Sequence, residues 1–554
     1  MGAMAFSPWM ARVRRMRSWP LLLLALYCTI IMVLPLQRIR DEGSGEGEAV
    51  PRDRQVVEQK VRLTRNSLYG RGMEAHVHQE WDFDRPCSRM PDTDDVLFVL
   101  KTGTSEAFDK LPTQLLGSVQ CLSDVLIFSD KEQQIGKYHL YDALDRVSDT
   151  VKKTSPEFEL YEAQLNCPVS LRDCTTPSQS AAWDLDKYKF LNILVRTWEM
   201  RPGHQYYLFA EADSYVFWPN MMTWLRNHAA SMADDLYAGS VALQDDFPFA
   251  HGGSGYIVSG RVVQRLVEAV PGLAARYDGL APTKCCGDLL LGMAMHEAGV
   301  VVRHAFPMFN GEKTAVLPFG ETHWCQPILT LHHMDAEDVA TMWQFEQTRT
   351  STKTLQIKDL YHAFVEPHLI PLRPDWDNLS EDTCLADPDS PLSADDLLSP
   401  LLRPQADKSP LEARAHASPS ACAAACHASG LTIPQADLDA LLHDSPPLSH
   451  HHLLPHDADT DAAIAHLVAR RYDARVAGPD AAAFKAARRC LQWRFRTGLC
   501  CFSESLRLGH ATSRDAAEPQ RWTSGWFVRG AADWTKAHDG CKPAWVKPEE
   551  IRPP

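Results

Sequence analysis

The sequence has fewer basic residues than acidic ones. It has 56 lysines and arginines against 71 aspartates and glutamates in 554 residues, which gives a formal net charge of -15. Proteins that bind nucleic acid through its phosphates need a basic surface. The composition therefore excludes a nucleic-acid partner and predicts an acidic globular protein. Its length is enough for one large domain and at least one accessory domain, and its 45% hydrophobic content permits substantial cores.

The main glycine-rich turn lacks the features of the common nucleotide loops. Residues 251–259 (HGGSGYIVS) have neither the lysine of a P-loop nor the spacing of a dinucleotide-binding turn. A Walker or Rossmann dinucleotide site is therefore excluded there. The glycines instead predict a turn where backbone approaches a ligand or a crowded strand closely, followed by a strand.

One long apolar run lies near the N-terminus. Residues 19–36 (WPLLLLALYCTIIMVLPL) carry no charge and follow an arginine-rich stretch at residues 12–17. An uncharged run of this length with a basic flank is typical of a type II signal anchor. We expect a cytoplasmic tail at 1–18, the anchor at 19–36 and a polar stem at 37–85. A cleaved signal peptide is the weaker alternative, because no small-x-small site precedes Gln37.

Cysteine is plentiful. Of the 15 cysteines one lies inside the apolar run, which leaves an even number beyond it. Such a count is typical of disulfides in an oxidising secretory compartment, although the sequence leaves their pairing open. Cys167 and Cys174 are close enough to staple a short loop. A structural zinc site at Cys285, Cys286 and Cys325 is the less favoured alternative.

The first globular segment predicts a parallel α/β sheet. Residues 95–102 (DVLFVLKT) and 125–130 (VLIFSD) are apolar runs typical of strands buried on both faces, and a helix-compatible stretch separates them. Ligands of such sheets lie beyond the carboxyl ends of the strands. Lys101, Thr102 and Asp130 therefore fall where a nucleotide would lie.

A later apolar run ends in two acids. Tyr206 to Ala210 reads as a strand, and Glu211 and Asp213 follow it, two residues apart. Alternation along an extended backbone places both carboxylates on one side, within reach of one hard cation. Solvated acids at a strand end are the plain alternative, because such triplets are common by chance.

Two further segments carry polar groups suited to chemistry. Asp288 is expected at the N-cap or in the first turn of an amphipathic helix, where an aspartate is usually a cap. Residues 327–334 (PILTLHHM) predict a strand that ends in His332 and His333. Because neighbours on a strand face opposite sides, we expect only one of the two histidines to point into a site.

The order of these motifs resembles a known family. Lys-Thr and Ser-Asp strand ends, an acid-x-acid-x-Tyr turn, a Gly-Gly-x-Gly-Tyr strand, a Gly-Asp-x-x-x-Gly helix and a strand ending in His are similar to the fringe and core 1 β-1,3-galactosyltransferase group, glycosyltransferase family 31. The resemblance covers residues 95–345. It implies a GT-A (Rossmann-like) catalytic domain at 86–375 and a single-pass type II protein of the Golgi membrane, with the catalytic part in the lumen. The sequon at residues 378–380 is consistent with that side.

The resemblance also implies residue roles. The family's metal motif falls on Glu211 and Asp213, its metal-binding histidine on His332, its catalytic base on Asp288, and its glycine turn on residues 252–255, including Gly252 and Gly253. Glu211 stands where the family usually has aspartate, so Asp213 is the safer ligand. His333 is the alternative to His332.

The implied reaction is an inverting transfer. A hexose or N-acetylhexosamine would pass from a UDP-sugar to a hydroxyl of a glycan or glycoprotein, forming a β-1,3 linkage, with Mn²⁺ or another divalent cation as cofactor. Lys101, Thr102 and Asp130 would contact the uridine end of the donor. A non-catalytic lumenal glycan-binding protein or folding helper on the same scaffold is the alternative function.

Composition shifts toward the C-terminus. Residues 376–418 predict a linker rich in Pro, Ser, Asp and Leu. Residues 419–554 resemble a small PAN or apple-like disulfide module, with a low-complexity insertion near 430–482 that includes the histidines at 450–452.

Overall fold

A mixed nine-stranded sheet forms the centre of the molecule. The computed structural model describes residues 85–169, 179–349, 351–389, 399–442, 458–512 and 520–553. The strands of the described residues are β1 Val96–Lys101, β2 Val125–Ser129, β3 Gln133–Ile135, β4 Tyr138–Asp142, β5 Tyr206–Glu211, β6 Tyr215–Val216, β7 Tyr237–Gly239, β8 Val241–Gln244, β9 Phe247–Ala250, β10 Tyr256–Ser259, β11 Val302–His304, β12 Thr330–Leu331, β13 Trp376–Asp377, β14 Thr383–Ala386, β15 Gln492–Arg496, β16 Leu499–Ser503, β17 His510–Ala511, β18 Thr523–Trp526 and β19 Glu549–Ile551. The nine strands of the central sheet run in the order β19-β11-β7-β10-β5-β1-β2-β4-β3.

Helices connect and cover these strands. The α-helices of the described residues are α1 Ala107–Leu116, α2 Asp149–Thr154, α3 Phe158–Leu165, α4 Gln179–Asp186, α5 Lys189–Met200, α6 Trp218–Trp224, α7 Gly260–Ala269, α8 Leu273–Asp278, α9 Gly287–Glu297, α10 Ala336–Thr348, α11 Ile357–Phe364, α12 Pro410–Arg414, α13 Pro419–His427, α14 Gln435–Leu442, α15 Ala458–Val476, α16 Ala481–Ala486 and α17 Val528–His538.

Alternation along β1 explains why its apolar run is continuous. Every residue of β1 is buried, and the strand pairs in parallel with β2 on one side and β5 on the other. Leu97 and Val99 belong to the core on one face of the sheet, whereas Phe98 and Leu100 belong to the core on the other face. A strand covered on both faces has no polar side, which confirms the prediction of a buried parallel strand.

The mixed α/β class predicted from the sequence is confirmed. The predicted strand, helix and strand over residues 95–130 are β1, α1 and β2, and the apolar run before the acidic turn is β5. The glycine-rich turn leads into β10, as predicted. The predicted tail, membrane anchor and stem at residues 1–85 lie outside the described residues, apart from residue 85 itself. Among the residues that are described, no helix is long and apolar enough to cross a membrane.

The structure differs from the predicted linker and separate C-terminal module. Residues 383–386 form β14, which pairs with β16 in a four-stranded sheet of order β14-β16-β15-β18. The final strand β19 pairs with β11 and so extends the central sheet. The described residues belong to one compact unit. The composition of residues 376–418 predicted a linker. Long-range strand pairing orders this segment, and local propensity does not show such pairing.

Part of the predicted low-complexity insertion is helical. Residues 435–442 form α14 and residues 458–476 form α15, whose Ile464, Leu467 and Val468 are buried in an apolar cluster. The histidines at 450–452 lie outside the described residues. Alanine-rich sequence was therefore a helix signal here rather than a sign of a linker.

Disulfides hold the C-terminal part together and attach it to the rest. The disulfides found within the described residues are Cys87–Cys121, Cys285–Cys286, Cys325–Cys541, Cys384–Cys501, Cys422–Cys500 and Cys426–Cys490. Cys167 is also disulfide-bonded, and Cys174 lies outside the described residues. The zinc alternative at Cys285, Cys286 and Cys325 is wrong, because all three sulfurs are in disulfides and none is a thiolate ligand.

The predicted sequon is buried. Asn378 and Ser380 are both 0% exposed, and the Asn378 amide donates hydrogen bonds to the carbonyl oxygens of Trp493 (3.0 Å) and Gly525 (3.3 Å). A glycan on this nitrogen would remove these bonds and displace β15 and β18. The folded structure therefore does not offer Asn378 as a glycosylation site.

A buried aspartate predicts that stability falls as pH rises. Asp278 is 4% exposed, and burial raises its pKa to about 7 although Asn192 donates to its Oδ1. The folded protein thus binds a proton that the unfolded chain releases near pH 4, so the free energy of unfolding falls between about pH 4 and 7. Asp278→Asn is expected to flatten this fall, by up to about 4 kcal/mol, in urea denaturation measured across pH.

The matched control for that experiment is Asp149→Asn. Asp149 is exposed, so its replacement should leave the pH dependence as it is in the wild type. An Asp278→Asn protein whose unfolding free energy still falls from pH 4 to 7 by the wild-type amount would contradict the assignment.

Candidate functional site

The acidic turn after β5 is held from three directions. Ser214 N donates to Glu211 O at 2.9 Å, which closes the turn. Gln114 on α1 is buried and donates its amide to the carbonyl oxygens of Ala212 (3.1 Å) and Ser214 (2.6 Å). The hydroxyl of Ser214 donates to Gly253 O at 2.8 Å. These bonds fix the direction of the two carboxylates relative to the glycine turn.

A short two-stranded ladder brings a histidine to this turn. Strand β12 pairs antiparallel with β6, which matches Leu331 with Tyr215. Met334 N then donates to Asp213 O at 2.9 Å. As a result His332, the residue after β12, places its Nε2 3.3 Å from Asp213 Oδ1. The predicted ligands Asp213 and His332 are therefore neighbours, although 119 positions separate them in the numbering.

Both histidines of the pair reach the site. Asp213, His332 and His333 each offer one donor atom, and these atoms lie within 4.8 Å of one another. The structure differs from the prediction that only one histidine would face the site. Strand β12 ends at Leu331, and His333 has a φ of 57°, so the alternation of an extended strand does not apply to it.

The charges in this group suit a divalent cation. Burial raises the pKa of Asp213, but His332 and Lys110 outweigh it and hold that pKa well below its usual range. Burial lowers the pKa of His332, whereas the Asp213 carboxylate more than restores it, so the net pKa is raised. One carboxylate oxygen and two imidazole nitrogens are ligands that Mn²⁺, Fe²⁺ and Zn²⁺ accept. Asp213, His332 and His333 thus fit a metal by donor type and spacing.

Glu211 lies beside this group but faces another partner. In the parallel pair of β1 and β5, Lys101 is the register partner of Glu211. The Lys101 ammonium lies 3.0 Å from Glu211 Oε1 and also pairs with Asp186. Within the described residues, Glu211 is not one of the three clustered donors. The Glu211 carboxylate is therefore placed to pair with the Lys101 ammonium and not to bind a cation.

A chain of alternating charges, buried except for the partly exposed Asp186, continues from Lys101 to Asp130. Asp186 accepts from both Lys101 and Lys189, and Lys189 also pairs with Asp130. Lys189 is 2% exposed and donates to Thr102 O at 3.1 Å. Removal of one partner from a buried ion pair typically costs about 3–5 kcal/mol. These ion pairs therefore hold the C-terminal ends of β1 and β2 in place. The predicted nucleotide residues Lys101, Thr102 and Asp130 are thus brought together.

Sequence reasoning missed Asp186 and Lys189. They lie at the end of α4 and the start of α5, within residues 185–200, which the apolar periodicity predicts as one helix without a role in the site. A signal was present: Lys189 stands on the predicted helix next to the apolar Phe190 and Leu191, and a buried lysine needs an acidic partner. Which acid pairs with Lys189 depends on the order of the strands in the sheet. No local sequence pattern shows that order.

Asp288 lies in the first turn of α9, as predicted. It is 7% exposed, and its carboxylate accepts hydrogen bonds from Gly252 N (2.9 Å) and Leu289 N (3.0 Å). Burial raises the pKa of Asp288 above its ordinary value, although the Gly252 bond and the nearby His251 oppose that shift. A carboxylate whose pKa is raised above its ordinary value is a stronger base, as a general base requires.

The glycine turn contacts both Asp288 and the metal-ligand group. Gly252 donates to Asp288, and the next residue, Gly253, lies directly under His332. His251, which sequence reasoning did not single out, accepts from Ser254 N at 3.2 Å, and its ring centroid lies 5.7 Å from that of His332. Asp288 and His332 therefore contact neighbouring residues of one turn.

Gly253 has no room for a side chain. A Cβ built there would overlap the His332 ring. Gly253→Ala is therefore expected to displace His332, to destabilise the protein by about 1–3 kcal/mol and to weaken Mn²⁺ binding at least tenfold. Urea denaturation and titration with Mn²⁺ measure the two effects.

Gly279→Ala is the control for that change, because a Cβ at Gly279 meets only Arg276 O at 3.7 Å. It should leave Mn²⁺ affinity unchanged. Wild-type Mn²⁺ affinity in folded Gly253→Ala protein would show that His332 is not held by this contact.

The chain has no match among models of known protein families, and no curated protein matches it. The chemistry of the site is therefore inferred from its own geometry.

Proposed function

We propose that this protein is a metal-dependent glycosyltransferase. It transfers a hexose or N-acetylhexosamine from a UDP-sugar to a hydroxyl of a glycan or glycoprotein, with inversion and formation of a β-1,3 linkage. The α/β sheet is assigned to the GT-A type. The observation that supports the proposal is the donor cluster of Asp213, His332 and His333 next to Gly253, together with the hydrogen bond from the adjacent Gly252 to Asp288.

The metal end of the site serves the leaving group. Asp213, His332 and His333 would hold the divalent cation, with Mn²⁺ as the expected ion. When bound, such a cation neutralises the charge that builds up on the departing diphosphate. The lowered pKa of Asp213 keeps its carboxylate ionised and ready to act as a ligand. The raised pKa of His332 means that acid solution protonates this ligand first and weakens metal binding.

Asp288 serves the acceptor. Asp288 takes the proton of the acceptor hydroxyl on its carboxylate as that oxygen attacks the sugar. The Gly252 N–H bond holds one carboxylate oxygen in place, which orients the other. Since the pKa of Asp288 is raised, transfer loses its base as the pH falls toward that value. Both groups therefore favour activity at neutral rather than acid pH.

The charge chain serves the nucleotide end. Lys101, Thr102 and Asp130 contact the uridine part of the donor, and Lys189 holds their strand ends at fixed spacing. A fixed spacing matters because the donor must reach both the nucleotide contacts and the metal ligands at once. The proposed setting is the Golgi lumen, behind a type II anchor.

The test is a donor screen with the full-length protein in detergent. We expect release of UDP from one UDP-sugar in the presence of an acceptor glycan and Mn²⁺, and loss of release after chelation with return on addition of Mn²⁺. Absence of release from the common UDP-sugars, with glycan binding retained, would favour a non-catalytic lumenal binding protein on the same scaffold.

A further inference from the structure

A lysine pairs with the second carboxylate oxygen of Asp213, a predicted metal ligand. Lys110 on α1 places its Nζ 3.0 Å from Asp213 Oδ2 and 2.7 Å from Glu106 Oε2. The first oxygen, Asp213 Oδ1, faces His332 Nε2. Both oxygens of Asp213 are thus engaged, one by an imidazole and one by an ammonium. Sequence reasoning gave Lys110 no role.

An ammonium and a divalent cation compete for this carboxylate. Like charges a few ångströms apart repel strongly in a partly buried site, where water screens them poorly. Asp213 has a side-chain exposure of 15% and Lys110 one of 28%, so the pair is only partly screened. A cation that takes Asp213 Oδ2 must therefore displace the Lys110 ammonium.

The Lys110 ammonium can move away from Asp213 without losing its ion pair with Glu106. Its four-carbon stem is flexible, and Glu106, one helical turn away, can keep one hydrogen bond to the ammonium throughout the movement. If the diphosphate of the donor binds next to the cation, its oxygens lie within reach of the same ammonium. Lysine binds phosphate groups well as a compact charge.

We propose that Lys110 is the counter-ion of Asp213 when no divalent cation is bound and a diphosphate ligand when one is. This inference rests on the proposed function, because it takes the donor to be a nucleoside diphosphate sugar. It gives one residue opposite effects on two ligands. Lys110 opposes binding of the cation alone and favours binding of the nucleotide to the cation-loaded protein.

The experiment measures the two affinities separately with full-length protein. Mn²⁺ is titrated without nucleotide, and UDP is then titrated at saturating Mn²⁺, for the wild type and for Lys110→Met. We expect Lys110→Met to bind Mn²⁺ roughly fivefold or more tightly and UDP roughly fivefold or more weakly, the lower range of usual coupling between sites. Lys110→Arg, which keeps the charge, should return both affinities toward the wild type.

Lys313→Met is the matched control. Lys313 is also partly exposed and also pairs with two carboxylates, Asp335 and Asp338, neither of which is a predicted ligand. It should change neither affinity.

Weaker or unchanged Mn²⁺ binding by Lys110→Met overturns the counter-ion role, and unchanged UDP binding overturns the diphosphate role. A wild type that binds neither Mn²⁺ nor UDP overturns the proposed function together with this inference. A wild type that binds both, with a Lys110→Met protein identical to it, overturns the inference alone.

Discussion

Asp288→Asn is expected to abolish sugar transfer and to leave binding of Mn²⁺ and UDP close to the wild type. The amide oxygen can still accept the hydrogen bond from Gly252 N, so the glycine turn keeps its position. The amide cannot take a proton from the acceptor hydroxyl. Loss of a general base typically lowers the rate by about 10²–10⁴-fold. Single-turnover UDP release and calorimetric titration with Mn²⁺ and UDP measure the two sides of this prediction.

Asp278→Asn is the control for Asp288→Asn, because Asp278 is also buried and lies at the end of α8 without contact to the glycine turn. It should keep full transfer at neutral pH. The opposite pattern for Asp288→Asn, with transfer retained and Mn²⁺-dependent UDP binding lost, would make Asp288 a ligand rather than the base.

The sequence predicted the parts of the fold that depend on local patterns. Apolar runs at β1, β2 and β5 showed buried strands, and the preference of aspartate for helix starts placed Asp288 at the N-cap or in the first turn of α9. These features depend on side chains a few residues apart. Periodicity and capping residues are visible in one sequence without knowledge of what packs against them.

The partners of the site residues could not be predicted in the same way. Glu211 and Asp213 look equivalent in sequence, but the parallel register of β1 and β5 gives Glu211 to Lys101, while the β6–β12 ladder gives Asp213 to His332. His333 joins the site only because its backbone is left-handed. Each of these facts depends on strand order or on one backbone angle, which local patterns do not encode.

The same limit explains the C-terminal part. A composition rich in Pro, Ser, Asp and Leu at residues 376–418 suggested a linker, yet the four residues of β14 pair with β16, and Cys384 is bonded to Cys501 there. Trp534 of α17 packs edge-to-face against Trp324, with ring centroids 5.1 Å apart. Residues distant in sequence supply the burial that orders these segments, so composition alone underestimates their structure.

The structure predicts that two acids of one turn differ sharply in metal binding. Asp213→Asn removes the charge of the carboxylate beside His332. Loss of a residue that only hydrogen-bonds to a metal ligand typically lowers metal affinity by roughly 10- to 100-fold. Loss of the charge on a ligand itself should lower Mn²⁺ affinity by more than that. Glu211→Gln is the matched change two residues earlier. Because Glu211 pairs with Lys101, its replacement should lower Mn²⁺ affinity less than about tenfold. Titration with Mn²⁺ in the absence of nucleotide compares the two variants directly.

Mn²⁺-dependent UDP binding should follow the same order. Asp213→Asn should lose it because the cation no longer links the diphosphate to the protein, whereas Glu211→Gln should keep it, since Asp186 still holds Lys101. Equal losses in the two variants would mean that Glu211 leaves Lys101 and joins the cation on binding, so that both acids are ligands as the acid-x-acid pattern suggested. A larger loss in Glu211→Gln would contradict the assignment of Asp213, His332 and His333 as the metal ligands.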